Sequence, residues 1–204
     1  KFTLSRETSN SKEQIPGIEG LTPDDVVLGL HSGFMKFKKE YPDFEFTLSP
    51  CFRKEASHFD SKNYATKKEH FVAQVDALLE LIEKHPELRK RLKEVDTIGN
   101  EKDLYRKEHF FEMQKGFRKL QYNGFKIRSH HGETWYTLKK GIQAVDNAMN
   151  IWHIDTLEHG LSLGVNPNYY FQGMYHRLVR QNSLGLPVKV GSTDYLELCE
   201  MDWS

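Results

Sequence analysis

The sequence predicts an α/β fold in which helices flank a parallel sheet, and three observations lead to this prediction. Short apolar runs alternate with longer segments of helical periodicity, a succession typical of βαβ units. No glycine-rich phosphate loop follows the first strand-like run, which argues against a dinucleotide-binding sheet. Polar residues gather where several predicted strands end, as they do in a TIM-type (β/α)8 barrel. We therefore predict such a barrel. We expect it to be incomplete, because 204 residues contain only five or six predicted strands, whereas a whole barrel takes about 250 residues.

The first predicted elements follow from capping residues and hydrophobic spacing. Residues 1–5 are predicted to form a strand. Thr22 and Pro23 begin a helix, since threonine caps a first turn and proline suits the first helical position. Residues 44–49 alternate apolar and polar side chains and so predict a strand, whereas residues 71–85 have the apolar spacing of a helix.

The second half of the chain continues this alternation. The predicted strands cover residues 95–99, 125–129 and 151–160. The predicted helices between and after them cover residues 109–122, 137–149 and 169–182. An extended region over residues 187–199 completes the predicted order.

Composition argues against several functional classes. The 29 basic and 29 acidic residues give zero net charge, so we expect neither nucleic acid nor an anionic membrane as the main partner. No apolar run approaches the roughly 18 residues of a membrane helix, and the first residues lack the apolar segment of a signal peptide. Cys51 and Cys199 both fall in predicted extended segments and form no C-x-x-C pattern. Two thiols of this kind predict a reducing, cytoplasmic environment.

The candidate site lies where two predicted strands end. His130 and Glu133 follow the strand at 125–129, and His159 ends the next one. An imidazole nitrogen can bind a metal and a nearby carboxyl can transfer a proton, so the pattern predicts a metal-assisted hydrolase. Each residue also has a purely structural explanation. A histidine at a strand end is often only a hydrogen-bonding loop residue, and Glu133 would suit the first turn of the following helix.

Short motifs in this chain follow one another in a fixed order. Residues 21–27 read Leu-Thr-Pro-Asp-Asp-Val-Val, and residues 96–101 read Asp-Thr-Ile-Gly-Asn-Glu. A helix from Gly116 runs into His-His-Gly-Glu at residues 130–133, and Glu-His-Gly follows at residues 158–160. In this order and spacing the motifs resemble those of the adenosine deaminase family, whose counterparts of the last two are His-Ala-Gly-Glu and Gly-His-Gly. The resemblance extends from near the first residue to about residue 182.

The resemblance implies a zinc-dependent hydrolytic deaminase that acts on adenosine or an adenine nucleotide. It implies that His130 binds the zinc ion and that Glu133 protonates N1 of the purine. His159 would orient or deprotonate the water molecule bound to zinc, and the backbone N–H of Gly99 would contact the purine. Asp194 is the candidate for the aspartate that serves as the last zinc ligand of the family.

The chain also departs from the family pattern. The family's first two zinc ligands form a His-x-His pair on the first strand, and this sequence contains no such pair. We therefore expect residues 1–204 to be part of one barrel domain, covering about strands 2 to 7, with the first and last strands outside the chain. Residues 196–199, Leu-Glu-Leu-Cys, are similar to a seventh-strand motif of the family. His131 replaces the alanine of the motif, and we expect it either to support the ligands or to be exposed.

Residues 134–135 and 161–170 are atypical of housekeeping members. They resemble divergent members that serve as the deaminase subunit of bacterial antiphage systems, which implies a homo-oligomer with an ATPase partner. Two alternatives stay open. One is a barrel without catalysis that serves as an assembly scaffold, which the missing His-x-His pair favours. The other is a different metal-dependent amidohydrolase, which substrate choice would distinguish.

Overall fold

The computed structural model describes residues 1–3 and 22–201, and within these residues the fold is α/β with one parallel sheet. The strands are β1 (Phe2–Thr3), β2 (Pro50–Arg53), β3 (Glu94–Ile98), β4 (Lys126–His131) and β5 (Thr156–His159). Their order in the sheet is the order in the chain, and every neighbouring pair is parallel. Each strand therefore pairs with the next one along the chain, without a reversal of the order. The predicted α/β class is confirmed.

Helices follow each strand, as the predicted βαβ succession requires. The α-helices of the described residues are α1 (Pro23–Glu40), α2 (Lys67–Lys84), α3 (His109–Tyr122), α4 (Leu138–Asn147), α5 (Leu161–Gly164), α6 (Pro167–Ser183) and α7 (Thr193–Met201). None of these helices is long and apolar enough to cross a lipid bilayer. The start of α1 is as predicted, because Thr22 Oγ1 accepts the Asp25 N–H at 3.2 Å and Asp25 accepts the Thr22 N–H at 2.9 Å. Leu21 and residues 4–5, which the predictions also included, lie outside the described residues.

The hydrophobic core lies between one face of the sheet and the helices. Phe52 of β2 packs against Phe71 of α2, and Phe117 of α3 packs edge-on against Phe71. All three rings are fully buried. Side chains alternate between the faces of a strand, so the opposite face of the sheet carries the polar set. In β4, for example, Ile127 belongs to the core whereas His130 lies on the polar face.

Residues 44–49 do not form the predicted strand, because the strand begins only at Pro50. Their apolar side chains pack on α1 instead of following a sheet ladder. The ring centroid of Phe34 is 6.1 Å from that of Phe44 and 5.0 Å from that of Phe46. Aromatic packing of an extended segment therefore produces the alternation that predicted a strand.

The predicted extended region over residues 187–199 is also wrong, because α7 occupies its second half. The similarity of residues 196–199 to a barrel strand therefore does not hold, and Cys199 lies in a helix. Buried Glu197 explains the position of α7. Its Oε1 accepts the backbone N–H of Leu138 and the hydroxyl of Tyr170, both at 2.7 Å, which fixes α7 against α4 and α6.

Several element boundaries differ from the prediction, two of them by four residues or more, while α3 has the predicted bounds. The strand predicted to start at residue 151 starts at Thr156, because a π-helical turn covers Ala148–Trp152. The buried Trp152 ring anchors this turn through a 3.1 Å hydrogen bond from Nε1 to the carbonyl of Phe110. Helix α2 begins four residues earlier than predicted, where the Thr66 hydroxyl caps the first turn.

Candidate functional site

The carboxyl ends of β3, β4 and β5 bring a compact set of imidazoles and carboxylates together. In the sheet register, His130 pairs with Glu158, and Asp96 lies on the neighbouring strand β3. Because the strands are parallel and adjacent, their polar-face side chains meet at one edge. His159, the last residue of β5, completes the set.

His130 is the centre of this cluster. Its Nδ1 lies 3.0 Å from Nε2 of His159, and its Nε2 lies 3.1 Å from Asp96 Oδ2 and 2.7 Å from Glu158 Oε2. Two sets of potential metal ligands share this residue. In each set the ligand atoms lie within 4.8 Å of one another, and the sets are His130–Glu133–His159 and Asp96–His130–Glu158.

Glu133 reaches the cluster from the loop that follows β4. Its Oε2 lies 3.7 Å from His159 Nε2, and both side chains are partly exposed. The structure therefore brings the three predicted residues His130, Glu133 and His159 together at one edge of the sheet. This arrangement offers a partly exposed carboxyl and two imidazoles to a bound molecule.

A buried carboxylate, Glu101, holds the loop that carries Glu133. It accepts the backbone N–H groups of Gly132 at 2.9 Å and of Glu133 and Thr134 at 2.8 Å. Gly132 has a positive φ of 68°, and a Cβ atom there would lie 2.6 Å from Ser162 Oγ, so only glycine fits. The sequence motif contained Glu101 but assigned it no role. A carboxylate just beyond a strand end was the only signal for it.

An ammonium group already occupies the acidic half of the cluster. Lys1 Nζ lies 2.6 Å from Asp96 Oδ2, and 3.1 Å from both Glu158 Oε2 and His130 Nε2. Burial alone would raise the pKa of Glu158, but hydrogen bonds from Arg128 and Lys1 outweigh it and lower that pKa to about 2. Glu158 is thus an anion at neutral pH, and the cluster is built around a positive charge.

Asp96 retains an unused ligand atom. The side chain is fully buried, and its Oδ1 has no hydrogen-bond partner among the described residues. A buried carboxylate oxygen without a partner carries a desolvation cost, which a bound cation would remove. The sequence motif included Asp96 without assigning it to the site.

Gly99, predicted to contact the purine, lies under the side chain of Glu55. Its φ is 97°, and any side chain there would collide with the Glu55 carboxylate. The same carboxylate accepts the Asn100 N–H at 3.1 Å and pairs with Arg53 at 2.7 Å. Glu55 therefore covers the backbone that the resemblance assigns to substrate contact.

Lys54 is a further residue near the site that the sequence did not identify. It is 1% exposed, its Nζ contacts the carbonyl oxygen of His130, and its own carbonyl lies 2.7 Å from His109 Nε2. Burial lowers the pKa of Lys54 to about 8. A lysine after a strand gives no sequence signal for burial, since most lysines in such loops are solvated.

His131 points away from the cluster, so the expectation that it is exposed is wrong. Its ring is buried on the helix side of β4, edge-on to Trp152 at 5.4 Å. Its Nδ1 lies 2.7 Å from Ser129 Oγ. Burial holds the pKa of His131 well below its ordinary value. Consecutive residues of a strand face opposite sides, which separates His131 from His130.

Asp194 is not brought to His130. It lies on α7, where Arg177 of α6 binds both of its carboxylate oxygens at 2.6 and 3.1 Å. Neither set of potential metal ligands in the described residues contains it. Its partner in this structure is thus a guanidinium group.

No protein-family model matches the chain, and no curated protein matches it significantly.

Proposed function

We propose that this chain is the central part of a zinc-dependent hydrolase that deaminates adenosine or an adenine nucleotide, releasing ammonia and the inosine product. The observation that carries the proposal is the convergence of His130, Glu133 and His159 at adjacent strand ends, with ligand atoms within 4.8 Å of one another. The motifs that supply these residues are those that resemble the adenosine deaminase family. A (β/α)8 barrel is the fold we propose for the whole domain, and the sequential order of the five parallel strands supports this proposal because such a barrel has the same order.

The residues at the site fit a zinc ion. Imidazole nitrogen and carboxylate oxygen are the usual zinc ligands other than cysteine sulfur, and His130 and Asp96 supply one of each. The buried, unpartnered Oδ1 of Asp96 and the ammonium of Lys1 both indicate that this position is built for a cation. When bound, zinc supplies a Lewis acid that makes water nucleophilic near neutral pH. Of the remaining ligands implied by the resemblance, the His-x-His pair matches no residues of this chain, and the candidate for the aspartate, Asp194, binds Arg177 instead.

The protein's own groups have distinct parts in the proposed reaction. The partly exposed Glu133 carboxyl donates a proton to the ring nitrogen, which makes the adjacent carbon electrophilic. His159 contacts both His130 and Glu133, so it can accept a proton from the attacking water and pass it on. Glu101 fixes the loop, so the Glu133 main chain keeps one position relative to His159.

The test is ammonia release from adenosine and from adenosine 5′-phosphates by the purified protein. Glu133→Gln keeps the volume of the side chain and removes the acid, so release should fall by at least about a hundredfold. Glu87→Gln, a change at a surface position in the turn after α2, is the matched control and should leave the rate unchanged.

The same experiment separates the alternatives when zinc content is measured beside activity. If the protein contains zinc but releases no ammonia, the proposed reaction would change from deamination to the hydrolysis of another amide or ring. If the protein contains no zinc and releases no ammonia, the assembly scaffold is the remaining function. Its homo-oligomer and its ATPase partner would then be the next subjects to test.

A further inference from the structure

A basic pocket lies between the loops that follow β2 and β3, at the same edge of the sheet as His130. The cavity measures about 370 Å³, and four of its lining residues are cations: Lys67, Lys68, Arg106 and Lys107. Phe59 contributes an apolar wall. Glu108 is the only carboxylate among the residues that line this pocket, so the lining has a net positive charge. One of the four cations, Lys68, also pairs with Glu112 outside the lining, at 3.6 Å.

The two helices that begin at this pocket add to its positive potential. Helix α2 starts at Lys67 and α3 starts at His109, and both residues line the cavity. The first turn of a helix has unpaired N–H groups and the positive end of the helix dipole. Carboxylates are favoured at such positions, and α2 has one, Glu69, in its first turn, but its first two residues are lysines. A bound anion would offset the unfavourable placement of these two cations.

Lys67 is the strongest indication that the pocket binds an anion. Its side chain is 6% exposed, and its Nζ donates to the carbonyl oxygen of His58 at 2.7 Å. In the described part of the chain no carboxylate forms an ion pair within 4.0 Å of this ammonium, and the more distant Glu55 carboxylate only partly offsets the cost of its burial. Buried charges are normally paired, because desolvation of an unpaired one is costly.

We propose that the basic pocket binds a phosphate group, with Lys67 at its base and Lys68, Arg106 and Lys107 at its rim. Ammonium, guanidinium and helix N–H groups are the usual ligands of phosphate oxygens. A chain of contacts links the pocket to the candidate site. His109 contacts the Lys54 carbonyl, and the Lys54 ammonium contacts the His130 carbonyl.

This linkage assigns the substrate class, a step that rests on the proposed function. A nucleotide whose base lies against Glu133 would have its phosphate bound at the same edge of the sheet. The phosphorylated form of the adenine substrate is then preferred over the nucleoside. Phosphate binding itself does not depend on the deaminase proposal.

The test is a calorimetric titration of the protein with inorganic phosphate, followed by adenosine and adenosine 5′-monophosphate. Lys67→Met and Lys107→Gln should each weaken phosphate binding by about tenfold or more, since each removes a charge-assisted hydrogen bond. Lys36→Gln, which removes an exposed lysine of α1, is the matched control and should bind as the unaltered protein does. Because Lys107 is exposed, its variant keeps the test informative even if Lys67→Met does not fold.

The possible results are distinct. No saturable phosphate binding, or an affinity in both pocket variants equal to that of the unaltered protein, would overturn the proposal, whether or not the protein releases ammonia from adenosine. A nucleotide substrate would be supported if adenosine 5′-monophosphate binds more tightly than adenosine and if inorganic phosphate displaces the bound monophosphate. Phosphate binding without nucleotide binding would confirm the pocket and assign it to free phosphate, which overturns the substrate step alone.

Discussion

The replacement Lys67→Met should make the protein more stable at neutral pH, although it removes a polar side chain with a hydrogen bond. Burial lowers the pKa of Lys67 from its ordinary value of 10.5 to about 8. At 1.36 kcal/mol for each pH unit of that difference, the protonated side chain costs the folded state about 3 kcal/mol at pH 7. Methionine fills a similar volume without this cost, but it leaves the His58 carbonyl without its donor, a loss of about 1 kcal/mol. The free energy of unfolding should therefore rise by about 2 kcal/mol.

The gain in stability from Lys67→Met should decrease as the pH rises. The folded protein releases the Lys67 proton near pH 8, whereas the unfolded chain keeps it until about pH 10.5. The unfolded state thus binds more protons between these values, so the stability of the unaltered protein rises with pH over that range. The advantage of Lys67→Met is complete below pH 8 and disappears above pH 10.5.

Urea unfolding at pH 7, 9 and 10.5 measures this, with Lys36→Gln as the control that should change stability by less than about 0.5 kcal/mol. A given phosphate concentration should stabilise the unaltered protein more than Lys67→Met, because the stabilisation increases with the affinity of the folded state for the ligand. A variant that is less stable at pH 7, or a difference that does not vary with pH, would refute the reasoning.

Three further predictions concern the candidate site and its surroundings. Glu101→Ala should speed amide hydrogen exchange at residues 132–134 by at least about tenfold, because the N–H groups lose a charged acceptor, and unchanged exchange would contradict its positioning role. Lys1→Met should raise the affinity for zinc by at least about tenfold in a calorimetric titration, since it removes the ammonium that competes for the same ligands. An affinity equal to that of the unaltered protein would show that Lys1 does not occupy the cation position. His131→Phe should reduce the loss of stability below pH 6.5, because the buried imidazole is neutral in the folded protein and binds a proton on unfolding. Urea unfolding of both proteins at pH 5 and 7 measures the loss, and an equal loss in the variant and the unaltered protein would contradict the prediction.

Local signals predicted the elements whose boundaries are set locally. The capping box at Thr22 and Asp25 fixes the start of α1, and the Asn123-Gly124 pair ends α3 where predicted. These signals act over a few residues, so the sequence alone contains them. The strand ends that hold His130 and His159 were found for the same reason.

The wrong elements are those in which distant contacts decide the conformation. Residues 44–49 are extended but pack on α1, and residues 196–199 are helical because Glu197 binds Leu138 and Tyr170. An alternating pattern is the same whether the buried face meets a sheet neighbour or a helix.

The unassigned site residues follow the same rule. Glu101 acts on N–H groups 31 to 33 positions away, and Lys54 contacts a carbonyl 76 positions away. Neither separation appears in any local pattern. Lys67 was missed as well, because the helix was predicted to start at residue 71 and actually starts at Lys67.

The loop between β3 and α3 contributes residues both to the candidate site and to the basic pocket. Glu101 near its beginning binds the main chain around Glu133, and Arg106 and Lys107 near its end line the basic pocket. A ligand that immobilises one end of this loop therefore lowers the entropy still to be lost when the other end is ordered. The pocket and the catalytic edge are thermodynamically linked by one segment of ten residues, 99–108, and the linkage is reciprocal, because each ligand must strengthen the other's binding by the same factor.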